Sequence, residues 1–219
     1  DLDGMNREQV VAAMLEAGVW PFIKQRPFDI IANPNEKPKS IHISTFDTAP
    51  LAPDYTFALE ESAADFQVGV NALRKLTDGV VNLNIYKEDR AKTTFTQITG
   101  VEQNYFTGPH PAGNVGVQIH HIDPINKGDV VWVVNPQAVA IIGRLFSQKK
   151  FDARVVVALT GAVKSPRYYK TVLGSSVQSF LASESVSDDM RVISGNVLTG
   201  TKLGKEDYIS YYDSQVTVI

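Results

Sequence analysis

The chain contains no cysteine. That excludes disulfides, thiolate-held iron–sulfur clusters, cysteine-based zinc sites and a thiol nucleophile. A basic excess is missing too. The 21 Lys and Arg stand against 24 Asp and Glu, for a net charge of −3. Such a chain has no electrostatic footprint for a phosphate backbone, so a nucleic-acid partner is not expected. No apolar run approaches the ~20 residues of a membrane-crossing helix, and no transmembrane segment is expected. The longest runs, near Val130–Val134 and Val155–Leu159, are strand-sized. The first residues lack the pattern of a signal peptide, and a start at Asp1 without Met suggests a fragment. His120 and His121 sit about 100° apart on a predicted helix and cannot face one metal, and His42 lies elsewhere, on a strand. No metal site is expected.

What is present is 219 residues at 43% hydrophobic content. At about 100–200 residues per domain, that is one large domain or two small ones. Asn6 followed by Gln9 reads as a capping box opening a short amphipathic helix on Val10, Val11, Met14 and Leu15, with Gly18 as its terminator. The stretch Trp20–Phe28 is read as irregular and rich in aromatics. Ser40–Phe46 and Val80–Tyr86 read as strands. Leu59, Ala63, Phe66, Val70 and Leu73 recur at helical spacing between them. The polar tract Lys87–Thr96 is read as a surface loop. Gly108–Gly113 is a rigid turn launching a helix near Val115–Ile122. Val130–Val134 suits a strand covered on both faces, and Asn135-Pro136 caps a helix running to about Gln148. This alternation predicts an α/β domain with a parallel sheet over residues 1–150. After Lys150 the rhythm changes. Strands are expected at Arg154–Leu159, Tyr168–Leu173, Arg191–Leu198 and Gln215–Ile219 around one helix, Ser176–Ala182. Residues 151–219 are therefore expected to form a small α+β domain.

Several segments carry a family resemblance. They are Ala17-Gly18-Val19-Trp20, Arg26-Pro27-Phe28, the segment Phe46–Leu51, Gly108–Gly113, and Arg191–Gly195 with Leu198–Thr201. In this order they resemble the A subunit of the bacterial Na+-translocating NADH:quinone oxidoreductase. More distantly the chain is similar to the flavin-carrying, NADH-binding subunit of respiratory complex I. Gly161-Ala162-Val163, Pro166, Tyr168, Gly174–Val177 and Phe180-Leu181 resemble the soluble-ligand-binding β-grasp (SLBB) pattern, from which Arg167 departs. The resemblance implies a Rossmann-like first domain and a β-grasp second domain. It also implies a peripheral subunit on the cytoplasmic side of the bacterial inner membrane, in a complex that couples NADH oxidation and ubiquinone reduction to sodium export. Its partners would be the other subunits and ubiquinone. Flavins and iron–sulfur centres would reside in those other subunits. Alternatives are the C subunit of the related ferredoxin-linked electron transport complex, a working flavin- and NADH-binding domain, or a scaffold.

A flavin reading can be tested on the residues. Converging several backbone N–H groups on a phosphate requires glycines. The flavoprotein relatives place a glycine-rich loop after the first helix, where this chain has Val19–Phe28. That stretch has no glycine, two prolines that remove donors, and three aromatics. Asp47 and Pro50 are retained after the first strand, but Phe46 and Ala49 stand at neighbouring acidic positions. The expectation is that this chain binds no cofactor of its own.

Trp20, Phe22, Arg26 and Phe28 are candidates to line a quinone cleft, with Arg26 donating to a quinone carbonyl. The competing reading is that these aromatics fill the vacated pocket as core. His110, between two prolines, is a candidate quinone or quinol contact or else a turn-stabilising residue. Asp47 is either a ligand contact or a loop cap. Glu60, Glu61 and Asp65 read as a solvated face. Lys149, Lys150, Arg154, Lys164, Arg167 and Lys170 form a basic cluster that suits an acidic partner or phospholipid headgroups, or else a solvated rim.

Overall fold

A computed structural model describes residues 2–184, 187, 189–204 and 206–219. The chain divides into two compact units, Asp1–Phe46 with Tyr55–Asp152, and Asp47–Asp54 with Ala153–Ile219. A single cut in the sequence does not describe this, because the loop Asp47–Asp54 belongs with the second unit.

The first unit contains α1 (Arg7–Glu16), β1 (Ile23–Arg26), β2 (Ile30–Ile31), β3 (Ser40–Ser44), α2 (Tyr55–Ala58), α3 (Ala63–Arg74), β4 (Val80–Tyr86), α4 (Thr93–Thr96), β5 (Glu102–Phe106), α5 (Val115–Ile122), β6 (Val131–Val134) and α6 (Pro136–Gln148). Helix α1 starts where its capping box is complete. The Gln9 N–H donates to the Asn6 side chain, and the Asn6 N–H donates to the Gln9 side chain, both at 2.9 Å. Gly18 follows at φ 74, a left-handed turn that glycine adopts without steric cost. Helix α6 starts on the Asn135 side chain, which accepts from the Gln137 N–H at 2.9 Å, with Pro136 in the first turn.

The six strands are ordered β2-β1-β6-β3-β4-β5. Strands β6, β3, β4 and β5 run parallel, whereas β1 is antiparallel to both β6 and β2. The sheet is therefore mixed, which corrects the expectation of a parallel one. The source of the difference is Val19–Phe28, read as irregular from its prolines. Pro21 sits in a 3-10 turn and Pro27 follows the strand, so neither interrupts the ladder of β1.

Other expectations also change. Lys87–Thr96 is not a surface loop. It forms a 3-10 turn and α4, and it buries Thr94 and Phe95, the latter 5.3 Å from the Phe66 ring. Strand β5 was not anticipated. Its outward residues are polar, and among the described residues it pairs only with β4. The expected single helix from Leu59 to Leu73 is broken into a 3-10 turn, Glu60–Ser62, and α3, with the short α2 ahead of them.

Helices α3 and α6 approach closely through glycines. A Cβ on Gly143 would lie 1.7 Å from the Asp65 carbonyl oxygen, and one on Gly69 would lie 2.0 Å from that of Val139. The core beneath them is formed by Phe66, Val70, Leu73, Val139, Ile142 and Trp132, all sealed from water.

The second unit is a mixed five-stranded sheet with a short helix. It comprises β7 (Arg154–Gly161), β8 (Arg167–Val172), α7 (Gln178–Leu181), β9 (Val192–Ser194), β10 (Thr201–Leu203) and β11 (Gln215–Val218), in the order β10-β9-β11-β7-β8. Strand β11 runs parallel to its neighbour β7 and antiparallel to β9. The expected helix Ser176–Ala182 shortens to one turn, held by Phe180 against Tyr169 at 5.1 Å. The expected strand Arg191–Leu198 shortens too, and β10 takes up the pairing. The loop Asp47–Asp54 is tied in where Tyr168 Oη accepts from the Asp54 N–H at 2.8 Å, and where Gln215 donates to the Pro50 carbonyl at 3.3 Å.

Candidate functional site

Period-2 alternation puts unusual residues on one face of the first sheet. Strand β3 reads Ser40-Ile41-His42-Ile43-Ser44, and β4 reads Val81-Asn82-Leu83-Asn84-Ile85. The isoleucines, Val81 and Leu83 pack on one face, while Ser40, His42, Ser44, Asn82 and Asn84 share the other with Asn104 of β5.

These groups form one directed chain of hydrogen bonds. Asn104 Nδ2 donates to Asn82 Oδ1 at 3.0 Å and to Asn84 Oδ1 at 3.3 Å. Asn84 Nδ2 donates to Gln118 Oε1 on α5 at 2.8 Å. Gln118 Nε2 donates in turn to Ser44 Oγ at 2.9 Å and to the Ala112 carbonyl at 3.1 Å. Ser44 Oγ donates to the Phe46 carbonyl at 2.9 Å. The chain thus clamps the Gly108–Gly113 turn and Phe46, just past the end of β3, at the carboxyl ends of the parallel strands. Gly108 sits at φ 128, where a side chain would be strained. At the same end, the Phe46 ring lies 5.1 Å from Tyr86.

His42 closes the other end of this face. Its Nε2 lies 3.3 Å from Asn82 Nδ2 and 3.2 Å from Ser40 Oγ. With Asn82 donating, Nε2 is the acceptor and Nδ1 carries the proton. Nδ1 is buried and has no hydrogen-bond partner among the described residues. Burial pushes the His42 pKa down to about 4, only partly opposed by the charge of Asp123.

The quinone candidates fall into three environments. Trp20 is core: its Nε1 donates to the Ala32 carbonyl at 2.7 Å, and its ring meets Trp132 edge-on at 5.6 Å. Phe22 is also buried, with its ring 6.4 Å from Phe151. Arg26 and Phe28 lie on the β1–β2 hairpin instead. Arg26 Nη2 is 3.5 Å from the Asp29 carboxylate, whereas Arg26 Nε is buried with no hydrogen-bond partner among the described residues. Phe28 is 78% exposed, and Ile30 and Ile31 are 51% and 49% exposed. Adjacent strand residues point to opposite faces, so among the described residues both faces of β2 are left about half exposed.

His110 is exposed in the turn after β5. Strands β1 and β5 stand four strand spacings apart, about 19 Å. The four residues from Phe106 to His110 reach at most about 14 Å. Arg26 also pairs with Val131, the first residue of β6, at the opposite end of the parallel strands. His110 and Arg26 therefore do not share a pocket. Asp47 caps its own loop by accepting from the Ala49 N–H at 2.8 Å. Among the described residues, no group of His, Asp and Glu could hold a metal ion, and no helix is long and apolar enough to cross a membrane.

Residues 5–151 match the family described as NqrA second alpha/beta domain. The chain belongs to the NqrA family. Residues 156–205 match the NQRA C-terminal domain. The chain is 37% identical, over its whole length, to the A subunit of Na(+)-translocating NADH-quinone reductase from Neisseria meningitidis serogroup B and from Pasteurella multocida. It is 36% identical to that of Rhodopirellula baltica over 97% of the chain. It covers 49%, 49% and 47% of those three proteins, so it spans about half the length of its NqrA relatives. Among solved structures, an NAD+-reducing [NiFe]-hydrogenase in the H2-reduced state superposes with a TM-score of 0.65 at 13% identity, over 98% of this chain and 47% of that one. That likeness concerns the fold alone.

The polar ladder was not foreseen from the sequence. A signal was there, since Ser40, His42 and Ser44 alternate with isoleucines, and Asn82 and Asn84 alternate with apolar residues. Linking Asn84 to Gln118 requires the register of two strands and a helix.

Proposed function

We propose that this chain is part of a peripheral subunit of the Na+-translocating NADH:ubiquinone reductase, on the cytoplasmic side of the bacterial inner membrane. It contributes there to quinone reduction or to assembly, and NADH oxidation and sodium passage belong to other subunits. Membership of the NqrA family supports this reading. The parallel run β5-β4-β3-β6, in which the order of strand addition switches sides between β3 and β6, supports a Rossmann-like first domain.

One observation carries the contact role: among the described residues the buried Arg26 Nε has no acceptor, on the same hairpin as the exposed Phe28. A donor shut away from water without a partner is costly, and the exposed aromatic ring of the same hairpin offers the apolar wall that a quinone ring or a neighbouring subunit requires. The hairpin with Arg26, Phe28, Ile30 and Ile31 is therefore the proposed contact surface. Trp20 and Phe22 support it from the core, and His110 acts apart from it. The same reading has no flavin resident in this chain. Trp20 and Phe22 occupy the stretch where a phosphate-binding loop would need glycine, and a yellow purified protein would contradict it.

The test is titration with a short-chain ubiquinone analogue, together with co-purification of the other subunits. Arg26→Ala and Phe28→Ser should weaken one or both by tenfold or more while leaving the melting temperature nearly unchanged. If both variants bind the analogue and the subunits like wild type, the contact role is wrong.

A further inference from the structure

The basic cluster after α6 has no part in the proposed contact surface, and the cleft beside it gives it a role. Helix α1 and the end of α6 border an open groove of about 490 Å³ within the first unit. Met5, Leu145, Phe146 and Phe151 are among its lining residues and make it largely apolar. Lys149 and Lys150 stand on its rim, both exposed. Neither lysine makes an ion pair among the described residues. One acidic side chain, Glu16, also borders the groove, so the rim keeps a net positive charge. Lys149 adopts φ 56 as the residue that ends α6. Helix α6 therefore finishes at the rim, where its carbonyl end favours the two lysines.

We infer that this groove takes one acyl chain of an anionic membrane lipid, with the lipid phosphate held by Lys149 and Lys150. An apolar trough with cations at one edge matches an amphiphile of that polarity. The volume lies in the range of small-molecule sites. A single chain with two cations gives weak, reversible attachment, which suits a chain held mainly by protein partners. The inference rests on this groove and not on the β1–β2 hairpin, so either can fail without the other.

The experiment is co-sedimentation of the full chain with vesicles of phosphatidylcholine alone and with phosphatidylglycerol added. The expected result is binding only where phosphatidylglycerol is present, falling with added salt. Lys149→Glu with Lys150→Glu should weaken it at least tenfold, and Phe146→Ala should weaken it severalfold with an unchanged circular dichroism spectrum. Binding of the ubiquinone analogue, measured in parallel, should be the same in the double reversal as in wild type. Equal binding to both vesicle types, retention of binding by the double reversal, or no sedimentation with either vesicle would each overturn the inference. So would protection of Lys149 and Lys150 from amine labelling by the other subunits but not by anionic vesicles, which would assign the groove to a partner chain.

Discussion

Asn84 donates its side-chain amide to Gln118 at 2.8 Å, and both residues are sealed from water. This bond joins the middle of the parallel sheet to the helix that follows the Gly108–Gly113 turn. Buried polar groups of this kind stabilise a structure only when each finds a partner, because an orphaned one carries its whole desolvation cost. Gln118 bonds Asn84, Ser44 and the Ala112 carbonyl at once. Gln118→Ala should therefore destabilise the first unit by about 2–3 kcal/mol. It should also speed proteolysis in residues 108–113 before global unfolding. Urea denaturation and limited proteolysis measure both, and an unchanged cleavage rate in the turn would show that the ladder does not hold it.

His42 should make stability depend on pH in a defined window. Its folded pKa is depressed to about 4 from the ordinary 6.5. Above about pH 6.5 neither state is protonated and the full stability is present. As pH falls below that value, the unfolded chain binds a proton that the folded chain refuses, so stability declines. The decline stops near pH 4, where the folded state titrates too. The loss attributable to this residue is about 3 kcal/mol. His42→Gln should flatten the profile between pH 7 and 4 relative to wild type. Parallel urea midpoints for the two proteins would reject this account.

Gly143 and Gly18 should respond differently to the same change. A Cβ at Gly143 collides with the Asp65 carbonyl oxygen at 1.7 Å, where backbone on both helices must yield. Gly143→Ala should cost at least about 3 kcal/mol through overpacking. At Gly18 a Cβ meets nothing, and only the positive φ opposes it. Gly18→Ala should cost about 1 kcal/mol. Thermal melts of the two variants rank them, and equal shifts would contradict the close helix crossing.

How much was legible beforehand differed by element. The bounds of β4 and α5 and the caps of α1 and α6 could be read because each rests on a few neighbouring residues. Asn6 needs only Gln9, and Asn135 needs only Pro136 and Gln137. Strand β1 was hidden because its prolines argued against a ladder, and only pairing with β6 reveals that they lie just outside it. For the site, the aromatic character of Val19–Phe28 was plain, but its division was not. Trp20 and Phe22 face the core while Phe28 projects into water.

Local chemistry in the chain thus specified the capped helices α1 and α6 and the strand β4, and the missing cysteines and the glycine-free stretch Val19–Phe28 narrowed its chemistry. Those properties depend on residues a few positions apart. Which side chains meet is a different matter. The joining of Asn84 to Gln118, the separation of Arg26 from His110 and the recruitment of Asp47–Asp54 into the second unit all arise from strand order and register. Contacts between distant residues depend on how sheets and helices pack as wholes, and no short stretch of sequence holds that information.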